Sequence, residues 1–170
     1  MKTNDTNIIL IGMPGAGKST SGVLCAKLLS RDFIDTDVYI QAQAGRRLQN
    51  IIDNDGLDEF CRLEAKTVCS LSCTGYVIAT GGSVVYSEAA MAHLRENGIV
   101  VYLELSLAEL EKRIDNMDSR GIVITAGQTF ADLYRERTPL YRKYADITIN
   151  CKGLTHEQVG HMIMSRLEQN

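Results

Sequence analysis

A glycine-rich loop between a short apolar run and a helical pattern constrains this chain more than any other feature. The loop reads Gly-Met-Pro-Gly-Ala-Gly-Lys-Ser-Thr over residues 12–20 and fits the pattern G-x-x-x-x-G-K-S/T. The apolar run Ile8–Ile11 before it predicts a buried strand, and the pattern over Lys18–Ser30 after it predicts a helix. A loop of this composition between a strand and a helix is typical of proteins that bind the phosphates of a nucleotide.

The residue types of this phosphate loop match the chemistry of a polyphosphate. Glycine lets backbone N–H groups turn toward phosphate oxygens, and the following helix directs its positive end at the same anion. We expect the Lys18 ammonium group to reach the β- and γ-phosphates and the Ser19 hydroxyl to bind Mg²⁺. The chain has no Asn-Lys-x-Asp motif for guanine, which disfavours a GTPase. The predicted nucleotide-binding residues of the loop are Gly12, Gly15, Ala16, Gly17, Lys18, Ser19 and Thr20.

Short apolar runs alternate with longer helical patterns along the rest of the chain. The further predicted strands are Phe33–Asp35, Tyr76–Ala79, Ile99–Leu103 and Ile147–Asn150. The further predicted helices are Val38–Ala44, a pair across Leu48–Ser72, Glu88–Asn97, Leu107–Asp115, Thr129–Tyr144 and Thr155–Leu167. This alternation predicts an α/β fold of three layers, with a central five-stranded parallel sheet between helices. Ligands of such a fold lie beyond the carboxyl ends of the strands.

Composition and charge exclude several classes of protein. The chain has 170 residues, 45% hydrophobic and 23% charged, and we expect one domain over residues 1–170. Its net charge of −3 argues against a nucleic acid partner, because proteins that neutralise many phosphates are basic. Its apolar runs are too short for a signal sequence or a membrane span, so we expect a cytoplasmic protein without a membrane partner. We also expect a monomer. The five cysteines have no C-x-x-C spacing and predict reduced thiols rather than a zinc site.

Two aspartates stand at the end of the second predicted strand. Asp35 and Asp37 are two residues apart, so their side chains are expected on the same side of the chain. One could hold Mg²⁺ through water while the other accepts a proton from an attacking hydroxyl. Alternatively, Asp37 is the N-cap of the helix that begins at Val38. The two residues alone leave both interpretations open.

Across nearly its whole length the sequence resembles the shikimate kinase family, which consists of small kinases with a nucleoside-monophosphate-kinase type of P-loop fold. The resemblance rests on residues 12–20, Phe33-Ile-Asp-Thr-Asp37, Gly56 to Glu64, Ala79-Thr-Gly-Gly82, Arg120, Arg137-Thr-Pro-Leu-Tyr141 and Ala145-Asp146. It implies an ATP- and Mg²⁺-dependent kinase that phosphorylates a metabolite hydroxyl. The implied acceptor is shikimate, and the implied product is shikimate 3-phosphate, an intermediate of aromatic amino acid biosynthesis.

The resemblance implies an acceptor site built from four residues and a helical segment over about residues 38–72. Asp37 is implied to bind the acceptor hydroxyls and to take the proton of the hydroxyl that reacts. Gly81 and Gly82 follow the third predicted strand and are implied to bring backbone N–H groups to the acceptor, although a plain turn is the alternative. Arg137 is implied to grip the acceptor carboxylate, since a guanidinium binds a carboxylate with two hydrogen bonds.

On the nucleotide side the resemblance implies that Asp35 supports Mg²⁺ and that Arg113 lies beside adenine. Arg120 is implied to reach the phosphates from a lid over about residues 116–128, where little periodicity is present. Such an arginine would neutralise charge on the transferring phosphoryl group, although a solvated surface arginine is the alternative. The predicted catalytic residues are Asp37, Lys18 and Arg120.

Position 61 departs from the family pattern. From residue 56 that pattern reads G-E-x-x-F-R-x-x-E, whereas this chain has Leu57 in place of the acid and Cys61 in place of the arginine. The arginine is one of the family's two main contacts to the acceptor carboxylate. Its loss costs about 2–3 kcal/mol, or roughly 30- to 100-fold in acceptor binding. Arg62 is turned away by one helical step, so either Arg46 or Arg47 substitutes beside Arg137 or the acceptor differs.

Two smaller departures from the family pattern accompany the change at position 61. Together, these departures leave three functions open. Ser83 stands where the family has a third glycine, and Gly121 follows Arg120 where the family has proline. The leading hypothesis is a kinase for shikimate. The second is a related kinase for a different small hydroxylated acceptor, and the third is a nucleotide-binding regulator without catalysis.

Overall fold

The computed structural model describes residues 5–114 and 127–169. Within these residues the strands are β1 (Asn7–Ile11), β2 (Phe33–Asp35), β3 (Val77–Ala79), β4 (Gly98–Glu104) and β5 (Ile147–Asn150). They form one sheet in the order β2-β3-β1-β4-β5, and every neighbouring pair is parallel. The predicted α/β fold with a five-stranded parallel sheet is therefore confirmed.

Strand β1 lies at the centre of the sheet, and its last four residues, Ile8–Ile11, are all apolar. Ile8 pairs with Val77 of β3 on one side and with Ile99 of β4 on the other. All five residues of β1 are buried, so both faces of the sheet are covered at its centre. The phosphate loop begins at the carboxyl end of this strand.

Eight helices of the described residues surround the sheet. They are α1 (Lys18–Leu29), α2 (Thr36–Ala44), α3 (Leu48–Asp55), α4 (Leu57–Cys69), α5 (Glu88–Glu96), α6 (Leu107–Ile114), α7 (Phe130–Tyr144) and α8 (His156–Glu168). Helix α1 packs against β1, β2 and β3 and against α8, whereas α5 and α7 pack against β4. None of the described helices is long and apolar enough to cross a membrane.

Helices α2, α3 and α4 form a unit with an apolar cluster of its own. Ile40, Ile51 and Phe60, one from each helix, are each at most 2% exposed and pack apart from the main core. The glycine at position 56 ends α3, since its N–H donates to the Ile52 carbonyl, and it adopts a positive φ of 87°. This unit occupies residues 36–69 and overlaps most of the segment, about residues 38–72, that was predicted to bind the acceptor.

Three features of the fold differ from the sequence prediction or lie beyond its reach. Helix α2 begins at Thr36 rather than at Val38, because the Asp35 side chain caps it. A short 3₁₀ turn at Val84–Tyr86 was not predicted. Arg120 and most of the predicted lid over residues 116–128 lie outside the described residues.

Candidate active site

The phosphate loop has the backbone that its glycines allow. Gly12, Gly15 and Gly17 adopt positive φ angles of 149°, 83° and 90°. A Cβ atom on Gly12 would lie 2.8 Å from the Leu103 carbonyl oxygen, so no larger residue fits there. Gly17 is the N-cap of α1 and supplies no side-chain cap, which leaves the first N–H groups of the helix for an anion.

Lys18 lies within the loop and is folded back onto it. Its Nζ donates to the carbonyl oxygens of Gly12 at 2.7 Å and Met13 at 3.0 Å. Burial lowers the pKa of Lys18 to about 8, although the charge of Asp37 acts in the opposite direction. Ser19 and Thr20 directly follow Lys18 in the first turn of α1 and are exposed.

Two side chains from distant elements contact the phosphate loop. Arg113 of α6 donates from Nη1 to the Gly15 carbonyl at 3.3 Å. His156 of α8 lies against Gly17 and is 3.0 Å from the Ser21 hydroxyl through Nδ1. The contact of His156 was missed, because nothing in the sequence relates the start of α8 to the loop.

The two aspartates at the end of β2 have separate tasks. Asp35 Oδ1 accepts from the N–H groups of Asp37 at 3.0 Å and Val38 at 3.2 Å, so the residue that caps α2 is Asp35. The alternative in which Asp37 is the cap is therefore wrong. Asp37 lies in the first turn of α2, and its Oδ1 is buried without a hydrogen-bond partner among the described residues. Burial and the neighbouring charge of Asp35 raise the pKa of Asp37 to about 6.

Glu64 is a third carboxylate of the site, and the candidate list from the sequence lacks it. It is 1% exposed, and its Oε2 accepts from the Ser83 hydroxyl at 2.5 Å. Its Oε1 has no partner among the described residues. Burial raises the pKa of Glu64 to about 7. The sequence did contain a signal for this burial, because Glu64 lies one turn after Phe60 and one turn before Val68, on the same face of α4.

The glycine pair after β3 lies where the carboxylates, an arginine and the phosphate loop converge. A Cβ atom on Gly81 would collide with Glu64 Oε1 and lie 2.7 Å from Asp37 Oδ1. A Cβ atom on Gly82 would lie 2.9 Å from Arg137 Nη1 and 3.3 Å from Cδ of Pro14 in the loop. Larger residues would therefore fill the space between these groups.

The N–H of Gly81 donates to the Thr36 hydroxyl at 3.1 Å. That amide is therefore engaged within the protein, and the amide of Gly82 is the better candidate for an acceptor contact.

Arg137 of α7 is buried, with 1% of its surface exposed. Its Nε donates to the Tyr86 hydroxyl at 3.0 Å, and its guanidinium carbon lies 5.1 Å from the centre of the Tyr86 ring. A guanidinium is permanently charged, so this arginine brings a fixed positive charge to Gly82.

Cys61 is half-buried on α4, three residues before Glu64. Burial raises the pKa of the Cys61 thiol, and the negative charge of Glu64 raises it further, whereas the positive charge of Arg137 lowers it. The thiol therefore lies close enough to both Glu64 and Arg137 to interact with their charges.

Two of the arginines near position 61 have other contacts, and the third, Arg47, is exposed at the start of α3. Arg62 is exposed and forms an ion pair with Glu59 at 3.2 Å, as predicted from its turn around the helix. Arg46 forms an ion pair with Asp55 at 2.5 Å on the surface. Neither ion pair directs its guanidinium to the glycine pair.

The chain is similar to shikimate kinases over most of its length. A protein-family model described as "Shikimate kinase" matches residues 14–168. A shikimate kinase of Pasteurella multocida is 40% identical over 84% of this chain and 84% of its own length. Shikimate kinase 2 of Enterobacter sp. is 33% identical over 92% of each chain. The solved structure "Shikimate kinase from Acinetobacter baumannii in complex with shikimate" has a TM-score of 0.90 and 31% identity, and covers 97% of this chain and 94% of that one.

Proposed function

The chain belongs to the shikimate kinase family of phosphotransferases with an alcohol acceptor, and from this premise we propose that it phosphorylates shikimate. The reaction transfers the γ-phosphoryl group of ATP to the 3-hydroxyl and yields shikimate 3-phosphate for aromatic amino acid biosynthesis. One observation carries the proposal. Asp37 Oδ1, which is unpartnered among the described residues, and the buried Arg137 meet the phosphate loop at Gly81 and Gly82.

The nucleotide side of the site consists of the phosphate loop, Lys18 and Arg113. The loop amides and the start of α1 bind phosphate oxygens, as such structures do for other anions. Lys18 is mostly charged at neutral pH, because its pKa is about 8. When a nucleotide binds, phosphate oxygens replace the loop carbonyls as the hydrogen-bond acceptors of its Nζ. Arg113 stands behind the loop at Gly15, on the side assigned to the adenine base. Arg120 keeps its proposed contact to the phosphates.

The start of α1 and the end of β2 fit a magnesium ion. Ser19 presents its hydroxyl beside Lys18, and Asp35 uses Oδ1 for the helix cap, so its Oδ2 would hold a water of the ion. Hydroxyl and carboxylate oxygens are ligands that Mg²⁺ prefers, and the ion usually keeps several waters. When bound, Mg²⁺ neutralises negative charge on the β- and γ-phosphates.

Asp37 is the proposed base of the reaction. Its pKa of about 6 leaves it ionised at neutral pH and close to the value at which a base is most effective. It orients the attacking hydroxyl and takes its proton, while Lys18 neutralises charge on the phosphoryl group. Arg137 and the amide of Gly82 hold the acceptor carboxylate. Positioning and charge neutralisation therefore supply the rate.

Cys61 supports a second candidate function, a kinase of the same fold for another small hydroxylated acceptor. A thiol supplies no charge to a carboxylate, and Arg46 and Arg62 bind elsewhere. The nucleotide side is the same in both candidates, so only the acceptor distinguishes them. We disfavour a regulator without catalysis, because the chain has both the loop lysine Lys18 and the buried carboxylate Asp37 that the proposed reaction uses.

We predict that the purified chain releases ADP from ATP and Mg²⁺ when shikimate is added, with shikimate 3-phosphate identified by mass. Lys18→Ala and Asp37→Asn should each lower kcat by about 10²-fold or more, because each removes a charge that acts on the transition state. The matched controls are Lys27→Ala and Asp53→Asn, which change exposed residues of α1 and α3 and should retain wild-type rates.

The outcomes separate the three hypotheses. Near-normal activity of Asp37→Asn would refute its role as base. Turnover of another hydroxylated metabolite but not of shikimate would establish the second candidate. Binding of ATP without turnover of any acceptor in a broad screen would establish the regulator.

A further inference from the structure

We propose that Tyr86 is a positioning residue for Arg137 and thereby determines how well the enzyme selects acceptors that carry a carboxylate. The inference rests on the proposed function, in which Arg137 binds that carboxylate. It concerns a residue of the unpredicted 3₁₀ turn Val84–Tyr86, four residues after Gly82.

Tyr86 holds the guanidinium of Arg137 in two ways at once. The Tyr86 hydroxyl accepts a hydrogen bond from Nε at 3.0 Å, and the ring lies under the guanidinium carbon at 5.1 Å. The cation–π contact holds the guanidinium against the ring, and the hydrogen bond fixes the position of Nε relative to the hydroxyl. Tyr86 is 39% exposed whereas Arg137 is 1% exposed, so the tyrosine ring also covers the arginine from solvent.

A second contact orients the Tyr86 hydroxyl. This hydroxyl donates to Glu136 Oε1, and Glu136 directly precedes Arg137 in α7. Burial and the hydrogen bond to Glu136 raise the pKa of Tyr86, so the hydroxyl keeps its proton at neutral pH. Because the proton points to Glu136, the lone pairs of the oxygen face Nε of Arg137.

This positioning matters because the site relies on Arg137. Among the described residues, Arg137 and Lys18 are cations whose charges act on Glu64, and Lys18 is bonded to the phosphate loop. Position 61 supplies a thiol instead of a charge. A guanidinium binds a carboxylate with two hydrogen bonds only in a coplanar arrangement, so a small rotation of Arg137 loses much of that contact.

The test compares Tyr86→Phe with wild type on two acceptors, shikimate and shikimate methyl ester, which has no anionic carboxylate. Phenylalanine keeps the aromatic ring and removes the hydrogen bond. We expect KM for shikimate to rise about fivefold to tenfold, in line with the loss of a charged hydrogen bond. We expect KM for ATP and kcat to stay within about twofold, and KM for the ester to change by less than about twofold, because neither depends on the carboxylate contact.

The matched control is Tyr76→Phe, which removes a hydroxyl just before β3, at the amino end of the strand and away from the site, and should alter no constant. Shikimate binding measured by calorimetry on the folded Tyr86→Phe variant provides a readout without catalysis and should show the same fold-change. An unchanged KM for shikimate, or equal changes for acid and ester, would overturn the role of Tyr86. Wild type that turns over neither acceptor would refute the proposed function instead.

Discussion

The buried carboxyl group of Glu64 makes the stability of this protein depend on pH. In the unfolded chain its pKa is near 4.5, and burial in the folded protein raises it to about 7. Between these values the folded state binds more protons than the unfolded state, so the free energy of unfolding falls as pH rises through this range. Asp37, with a pKa of about 6, acts in the same direction.

Glu64→Gln should therefore flatten the dependence of stability on pH. Glutamine is neutral at every pH, and its carbonyl oxygen can still accept from the Ser83 hydroxyl. Between about pH 5 and about pH 8, we expect the fall in Tm to be smaller by several degrees in this variant. Thermal melts of Glu59→Gln, an exposed change on the same helix, should follow the wild-type curve. A Glu64→Gln variant with the wild-type slope would show that Glu64 does not titrate in this range.

Cys61 allows the acceptor hypotheses to be tested by restoring a charge. An arginine at position 61 would lie three residues before Glu64 on α4, close to the charges of Glu64 and Arg137 that act on the thiol. If shikimate is the acceptor, Cys61→Arg should lower its KM by about tenfold or more through a charged contact to the carboxylate. The matched control is Cys69→Arg, the same change at an exposed cysteine of α4. A Cys61→Arg enzyme with unchanged or weaker shikimate kinetics would favour an acceptor without a carboxylate.

At the scale of elements, the sequence patterns predicted most boundaries to within two residues because the local signals are strong. β2 and β5 have the predicted ends, and α7 begins one residue later than predicted because Thr129 caps it, with Asp132 completing a capping box. The phosphate loop was equally predictable, since its glycines are required by its own backbone.

The parts that could not be predicted depend on contacts between distant elements. The 3₁₀ turn Val84–Tyr86 is too short to produce a period, and its tyrosine acquires a role only when α7 packs against it. In the sequence, Glu64 cannot be told from any other acid of an amphipathic helix, because its burial depends on the packing of Gly81 against it. The Gly81 amide was assigned to the acceptor, but its bond to Thr36 depends on how β3 and α2 meet.

At the scale of the whole molecule, the site depends on how closely its layers pack. Helix α1 carries the phosphate loop at its start and lies between α8 and the sheet. A Cβ atom on Gly22 of this helix would lie 2.6 Å from the Phe33 ring and 3.1 Å from Leu10 Cδ1. The absence of a side chain at this position therefore sets the distance between α1 and the strands. A Cβ atom on Gly160 of α8 would meet only Leu28 Cδ1 at 3.1 Å and backbone atoms of Cys25 at 3.5 Å or more.

Two equivalent substitutions should therefore have opposite effects. Gly22→Ala pushes α1 away from β1 and β2, so we expect a loss of about 1–3 kcal/mol in stability, a fall in Tm of several degrees and a higher KM for ATP. Gly160→Ala meets the tip of a flexible side chain and gains helix propensity, so its Tm should be unchanged or higher. Thermal melts and ATP kinetics of both variants check this difference. Equal losses of stability in both would mean that added volume anywhere along α1 and α8 is harmful, and that Gly22 has no special part in placing the phosphate loop.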